Sequence, residues 1–395
     1  MLMKSIRLDF ITNQAPHYRA ALWKRLLEDG DLDAHFLHGE GATSSIRPIN
    51  FAAPPWCERK SHFSVLKNLY FLKILIWQRG VLEHVRKTNA DALIFLGQMY
   101  VVSTWVATWI ARRRGISVLF WGHGVYGRER KVKRWLRYRF LRQADGLLVY
   151  GNHARRRLVA DRFEPNRITT VYNSLNHRRQ VAIRNSVIDP GFMAAQGWFH
   201  DAAAPTLLFV GRLTPQKQLN KLIEAVGQLR DRGSVFNLVI VGEGAEMERL
   251  RALASTLNGQ VFFYGACYDE DELGRIIANS DLCVSPGEIG LTAMHSLGFG
   301  TPVCTHNDMD RQMPEAEAVI DGITGSLFDY EKMDIAEAIE RWFRVAPDRE
   351  NIRCRCYQEI DRHWNTENSA QCISRALRQI VFKAQYQPRR KVSNR

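Results

Sequence analysis

The sequence predicts two doubly wound, Rossmann-like α/β domains facing each other across a cleft. Three observations carry this expectation. The chain has 395 residues, long for one core and sufficient for two domains of ordinary size. Its 46% hydrophobic and 24% charged residues are a globular balance that excludes extended disorder. Short apolar, β-rich runs alternate with longer helical patterns, and this alternation occurs twice with an aperiodic stretch between.

In the first array the β-rich runs are Ile6–Thr12, Ala34–Leu37, Ala92–Leu96, Val118–Trp121, Gly146–Tyr150 and Ile168–Val171. Helical patterns cover Tyr18–Glu28, Phe63–Arg86, Lys131–Gln143 and His153–Asp161. The uncharged run Ala92–Ala111 is about long enough to span a bilayer. Gly97, Gln98, Ser103 and Thr104 divide it better into a buried strand, a turn and an apolar helix. His177–Ala204 lacks strong periodicity and reads as the connection between domains. The pattern restarts with strands at Thr206–Val210, Asn237–Val241, Val261–Tyr264, Leu282–Ser285, Pro302–Thr305 and Ser326–Phe328. Gln218–Arg230 and Ala245–Leu257 are helical between them, and a last helix, Ser369–Ala384, precedes a basic tail. The resulting division is a first domain over residues 1–190, a second over 200–365, and a helix with tail over 366–395 that packs back toward the first.

The net charge of +14 favours an anionic partner: nucleic acid, an anionic membrane or phosphorylated small molecules. Seven irregularly spaced cysteines suit buried thiols in a reducing compartment rather than a disulfide framework. The N-terminal MLMKSIRLDFITN reads as a first strand and not as a signal peptide.

Two segments carry chemistry. In the first, a buried strand ends at Gly211 and is followed by Arg212 and Lys217 before a helix. Glycine lets backbone approach a ligand closely, arginine can fork onto phosphate oxygens, and lysine adds a second point charge. In the second, a strand at Leu282–Ser285 runs through a Pro/Gly loop into a helix starting near Gly290–Leu291. Unpaired amides and the positive dipole end make such a helix start an anion site. Together the two segments suit one pyrophosphate.

The strings FVGRLTPQK, LVIVGEGAEMERL, VFFYGACYDEDEL and ANSDLCVSPGEIGLTAMHSLGFGTPV follow one another here. In that order they resemble the retaining glycosyltransferases of family four, also called group one, strongly over residues 205–330 and more weakly over the first domain. The resemblance implies the GT-B fold, with the second domain holding a nucleoside-diphosphate sugar and the first receiving an acceptor. Arg212 and Lys217 then match the pair on the donor diphosphate, with Gly211 beside them. Tyr264, Gly265 and Cys267 match the segment at the nucleobase, and Gly290, Leu291 and Thr292 the amides at the diphosphate. The family usually carries two glutamates separated by seven residues in the last motif; the corresponding positions here are Gly287 and His295. His295 is a candidate for the ribose, and Glu288, one place off, for the sugar. Glu315 and Glu317 are alternative sugar contacts, or an ordinary acidic helix start. In the family, a histidine placed like His123 lies beside the transferred sugar, which makes His123 a catalytic candidate with Arg212 and Lys217. His17 and Arg19, in the loop after the first strand, are candidate acceptor contacts.

Asp308-Met309-Asp310 looks like a DxD metal triplet, but it lies where phosphate charge is met by Arg and Lys. No metal and no cofactor is therefore expected, the nucleotide sugar being a co-substrate. Catalysis would rest on fixed donors that stabilise the departing diphosphate.

Gly127–Arg142 holds eight Lys/Arg and one Glu interleaved with Trp135, Leu136, Tyr138 and Phe140. Phe63–Arg86 mixes apolar and aromatic residues with Lys67, Lys73 and Arg79. Basic helices with aromatics can lie on anionic headgroups. This suggests a cytoplasmic protein peripheral at the inner face of the plasma membrane, with a saccharide or lipid-linked acceptor. Cell-surface polysaccharide or lipopolysaccharide synthesis would fit. Other readings stay open: a basic RNA-binding or structural protein on the same scaffold, an inactive homologue, or another sugar-nucleotide chemistry such as epimerisation. No aromatic RNA-reading motif is present, so nucleic acid is not expected as a partner.

Overall fold

The computed structural model describes residues 5–40, 47–72, 74–125, 127–257, 259–345 and 348–386. Lys73 and the basic tail from 387 onward lie outside the described residues. The chain divides into two compact units, one running up to Tyr172 and including the helix from Thr366, the other Asn173–Asn365.

The first unit contains β1 (Ile6–Thr12), α1 (Ala20–Leu27), β2 (Leu32–Glu40), β3 (Phe63–Phe71), β4 (Leu75–Arg79), α2 (Val81–Lys87) and β5 (Ala92–Leu96). It continues with α3 (Val102–Arg113), β6 (Ser117–Gly122), α4 (Lys131–Leu141), β7 (Gly146–Val149), α5 (Asn152–Ala160) and β8 (Ile168–Thr170). Among the described residues these strands form one sheet in the order β4-β3-β2-β1-β5-β6-β7-β8. It is parallel except where β3 and β4 pair as an antiparallel hairpin. The apolar run 92–111 folds as β5, a turn and most of α3. Among the described residues no helix is long and apolar enough to cross a membrane.

The second unit contains α6 (His177–Ile183), α7 (Phe192–Ala195), β9 (Thr206–Val210), α8 (Leu219–Asp231), β10 (Asn237–Val241), α9 (Met247–Ala254), β11 (Val261–Gly265) and α10 (Glu270–Ala278). Then follow β12 (Leu282–Ser285), α11 (Leu291–Gly298), β13 (Val303–His306), β14 (Gly325–Phe328), α12 (Ile335–Val345) and α13 (Arg349–Arg362). Its all-parallel sheet has the order β11-β10-β9-β12-β13-β14. The sequence explains its regularity. β10 reads NLVIV and is buried throughout, as a strand covered on both faces must be. α8 buries Leu219, Leu222, Ile223, Val226 and Leu229, one apolar stripe at helical spacing. Asp269 and Asp348 cap α10 and α13 by accepting bonds from backbone amides in the first turn.

Three expectations are corrected. Phe63–Arg86 is not one long helix but the β3–β4 hairpin followed by α2. Leu66 and Asn68 are buried while Val65 and Lys67 are exposed, a period of two that no helix satisfies. Leu72, with φ 50°, takes the left-handed turn between the strands. His177–Ala204 is not a bare connection, because α6 and α7 form within it. Ile183, Val187, Phe192, Met193 and Phe199 are buried in a core with Leu208, Val239, Ile276 and Phe299. That core draws the division between units back to Tyr172/Asn173, ahead of the expected 190–200.

The last helix, α14 (Thr366–Tyr386), belongs to the first unit. Ala370, Ile373, Ala376 and Leu377 enter its core beside Leu22, Trp23 and Leu148. Arg25 Nε meets Glu367 at 2.5 Å, and Ser374 Oγ donates to Asp29 at 2.6 Å. All seven cysteines are thiols. Burial raises Cys283 to about 11 and Cys356 to about 12, so neither is a nucleophile near neutrality.

Candidate functional site

In open parallel sheets, ligands bind beyond the carboxyl ends of strands where the strand order reverses. In the second unit the chain runs outward from β9 through β10 to β11, then returns to place β12 on the other side of β9. The reversal point is therefore the β9/β12 junction. Both chemistry-bearing segments lie there: Gly211–Lys217 follows β9, and Pro286–Gly290 with α11 follows β12.

The two segments are bonded to each other. Lys217 Nζ donates to the Glu288 carbonyl at 2.6 Å, and the Gly287 amide donates to the Lys217 carbonyl at 3.1 Å. Burial lowers the Lys217 pKa and neighbouring Arg212 adds to this, while Glu288 and Glu315 oppose it. Arg212 is exposed and forms no ion pair among the described residues. The Thr292 hydroxyl donates to the Val210 carbonyl at 3.0 Å, tying the start of α11 to the end of β9. Gly290 precedes α11 with no side-chain cap, and no acidic residue occupies the first turn. Lys217 and an uncapped helix start are therefore held together, with Arg212 in the same loop near enough to act on the Lys217 charge, an arrangement suited to a diphosphate.

The absent motif glutamate has a steric cause. A Cβ at Gly287 would lie 2.0 Å from the Gln216 carbonyl oxygen and 2.9 Å from Lys217 backbone atoms. No side chain fits where the Pro286–Gly290 loop crosses the Lys217 loop. His295 is half-buried on α11 and imposes no such limit.

Sequence reasoning missed three supporting residues. A Cβ at Gly242 would lie 1.8 Å from the Gly211 carbonyl oxygen, and one at Gly244 2.2 Å from that of Leu213. The Leu213 amide also donates to the Glu243 carbonyl at 2.9 Å, so the loop after β10 carries the Arg212 loop on its back. Their signal was glycine spacing at a strand end, which is weak by itself. Gln312 is the third. Its Oε1 accepts from the Ile289 amide at 2.8 Å, and its Nε2 donates to Thr305 Oγ1 at 2.8 Å. Replacing Gln312 with Leu leaves the buried Thr305 hydroxyl and the Ile289 amide without these bonds. Donor KM should rise several-fold, at a stability cost of about 1–3 kcal/mol, measured by steady-state kinetics and urea unfolding.

Tyr264, Gly265 and Cys267 lie at the end of the edge strand β11. Gly265 accepts from the Gly242 amide at 2.8 Å, which links this end to the Arg212 loop. Tyr264 OH donates to Glu272 at 3.3 Å, and Cys267 Sγ contacts the Asp269 carbonyl at 3.6 Å. Glu315 is 2% exposed and accepts a bond from Asn173, whereas Glu317 is half-buried. Glu315 is close enough to Lys217 to influence its charge; no such influence of Glu317 on Lys217 is resolved. Asp308 pairs with Arg311 at 3.2 Å, and its Oδ1 accepts from the Asp310 amide, so the triplet forms a turn. Among the described residues it belongs to no cluster of metal-ligating groups.

The first unit repeats the logic. Its strand order reverses between β1 and β5. At their carboxyl ends lies a cavity of about 130 Å³ lined by residues including Asn13, Arg19, Gln98, Trp121, His123 and Tyr150. Arg19 is 7% exposed; its Nη2 donates to Tyr150 OH at 3.0 Å and its guanidinium lies 4.4 Å from the Trp121 ring. The His123 ring stands edge-on to Tyr150 at 5.1 Å. His17, by contrast, is exposed, points its Nδ1 at the Arg47 carbonyl 3.2 Å away, and does not line the cavity. Of the acceptor-side pair, the structure brings only Arg19 to His123.

Burial, then the charges of Arg19 and Arg137, lowers the His123 pKa from 6.5 to about 4. Burial likewise lowers His306 from 6.5 to about 4. The unfolded chain takes up these protons near 6.5 and the folded chain only near 4. Stability is therefore full above the first value and falls as pH drops toward the second. Urea midpoints at pH 7.5 and 5.0 should show this loss, and it should shrink in His306→Gln.

The family model described as Glycosyl transferases group 1 matches residues 195–358, and that described as Glycosyltransferase Family 4 matches 18–179. The second domain thus matches a group 1 glycosyltransferase model and the first a family 4 glycosyltransferase model. A GDP-mannose-dependent alpha-(1-6)-phosphatidylinositol dimannoside mannosyltransferase of Mycobacterium tuberculosis is 32% identical over 158 residues, 38% of this chain and 39% of the relative. The chain thus spans well under half the length of the curated relatives it matches. Among solved structures, Anabaena HepE in complex with UDP superposes with a TM-score of 0.65 at 16% identity, covering 95% of this chain and 100% of that one. The lipopolysaccharide outer core galactosyltransferase WaaB, in its apo form, gives 0.66 at 14%, covering 95% and 99%. At such identities these structures show the fold alone, the GT-B arrangement of two Rossmann-like domains.

Proposed function

We propose that this chain transfers a sugar from a nucleoside-diphosphate donor to a saccharide or lipid-linked acceptor, with retention at the anomeric carbon. The observation that carries the reading is the convergence of Arg212, Lys217 and the uncapped α11 start at the β9/β12 reversal. These groups would grip the departing diphosphate and stabilise its growing charge without a metal ion. Tyr264–Cys267 would meet the base, and His295, Glu288 and Glu315 the ribose and sugar. The Arg19–His123 cavity would receive the acceptor, His123 acting there as a neutral imidazole. The relatives that act on GDP-mannose or in lipopolysaccharide synthesis suit cell-surface glycan assembly at the cytoplasmic face of the membrane. A thermal-shift panel of UDP-, GDP- and dTDP-sugars, followed by product analysis with the stabilising donor, tests it. Stabilisation by none of them counts against the reading.

We further propose that the first unit rests on anionic lipid. α4 turns Arg137 inward to a buried bidentate pair with Glu129, at 2.8 and 2.7 Å, and leaves its other face outward. Val132, Trp135 and Leu136 are exposed there beside Lys131, Lys133 and Arg139. The β3–β4 turn exposes Phe71, Leu72 and Ile74. Tyr100 links the two places: its carbonyl accepts from the Ile76 amide at 2.9 Å, and Lys133 lies 5.8 Å from its ring. Apolar side chains framed by cations suit an anionic interface. The chain should float with phosphatidylglycerol vesicles and less with phosphatidylcholine, and Trp135→Glu with Leu72→Glu should abolish flotation.

A further inference from the structure

The register of β1 and β2 sets Asp9 directly beside His35, and α2 lays His84 over the same face. His84 Nε2 lies 2.7 Å from Asp9 Oδ2, and His35 Nδ1 lies 3.5 Å from Asp9 Oδ1. One ligand atom from each of the three residues falls within 4.8 Å of the others. Tetrahedral zinc holds nitrogen and oxygen ligands at about 2.0–2.2 Å, which spaces them about 3.3–3.5 Å apart. The His35–Asp9 separation of 3.5 Å already has that spacing, and opening the 2.7 Å His84–Asp9 contact to it needs side-chain shifts on the order of 1 Å.

The surroundings also suit a metal. The Asp9 side chain is 8% exposed, whereas His35 and His84 keep 27% and 25%, leaving an approach from solvent for the ion and a water ligand. His35 Nε2 lies 3.0 Å from Ser64 Oγ, and Asp9 Oδ2 also accepts from Thr88 Oγ1 at 2.7 Å. Such outer contacts fix a ligand ring and its tautomer. Asp9 sits in mid-strand, whereas the cavity lining on β1 begins at Thr12. The cluster is therefore outside the cavity that would receive the acceptor.

We infer that Asp9, His35 and His84 bind one divalent ion of the zinc class, with water as the fourth ligand, clipping α2 to the β1–β2 pair. Two imidazole nitrogens and one carboxylate oxygen suit zinc and cobalt(II) over calcium or magnesium. The role is structural, and it does not depend on the glycosyl transfer proposed above. The plain alternative is a hydrogen-bonded His–Asp–His cluster with no affinity for metal.

The test uses the full chain, stripped with chelator and titrated with cobalt(II) chloride. The site predicts visible cobalt absorption that saturates at about one equivalent, bleaching by zinc, and a zinc-induced rise of several degrees in Tm. His35→Gln and His84→Gln should each lose both signals. No cobalt band at tenfold excess, or a band that survives in both variants, overturns the inference. Should either variant fail to fold, zinc protection of His35 and His84 from diethylpyrocarbonate in the wild-type chain, mapped by mass spectrometry, decides in its place. Protection of both supports the site, and unchanged modification of both overturns it.

Discussion

Arg212→Ala and Lys217→Ala should each lower kcat by about 10²–10³, the usual consequence of losing one fixed donor to a developing anion. The two variants should differ in stability. Arg212 is exposed and forms no ion pair among the described residues, so its loss removes charge from the site and little else. Its urea midpoint should match that of the wild type. Lys217 also bonds the Glu288 carbonyl at 2.6 Å and thereby holds the Pro286–Gly290 loop. Lys217→Ala should combine the kinetic loss with a stability loss of about 1–3 kcal/mol. Initial rates with the preferred donor and urea unfolding of both variants check these outcomes. Wild-type kcat in either variant contradicts the diphosphate grip.

Restoring the family's residue at position 287 should do harm. In Gly287→Glu the new Cβ would meet backbone oxygen and carbon of Gln216 and Lys217 at 2.0–2.9 Å. Backbone cannot swing aside as a side-chain tip can, so the Lys217 loop must move. The expected result is loss of donor turnover by more than about 10²-fold, with overpacking of about 1–3 kcal/mol. His295→Glu restores the second family position on the half-buried face of α11 and should leave the urea midpoint near wild type. Steady-state rates and urea midpoints of the two variants, side by side, separate steric exclusion from a general intolerance of carboxylates in this motif.

The contrast between these positions shows what the sequence could reveal. The strands of both sheets were legible because buried parallel strands read as unbroken apolar runs, as in β9 and β10. The two loops proposed to hold the donor were legible as loops because Arg212, Lys217 and the start of α11 fall just after such runs. Phe63–Arg86 was misread because its mix of Leu, Ile and Lys satisfies a helical count over two dozen residues. Only the alternate burial of Leu66 and Asn68 separates the two periods. α6 and α7 went unseen because they are short and draw their stability from tertiary burial of residues such as Phe192 and Met193. The close approaches of Gly242 to Gly211 and of Gly287 to Gln216 join segments distant in sequence, and nothing local encodes them. The same holds for Asp9, His35 and His84, which only the strand register and α2 bring together.

The most direct measurement is a crystal structure of the chain with a nucleoside diphosphate. The account predicts the β-phosphate about 3 Å from the Arg212 guanidinium and from the Leu291 and Thr292 amides, with Lys217 Nζ turned toward it from the Glu288 carbonyl. A diphosphate bound elsewhere on the second unit, with Arg212 in solvent, would contradict it.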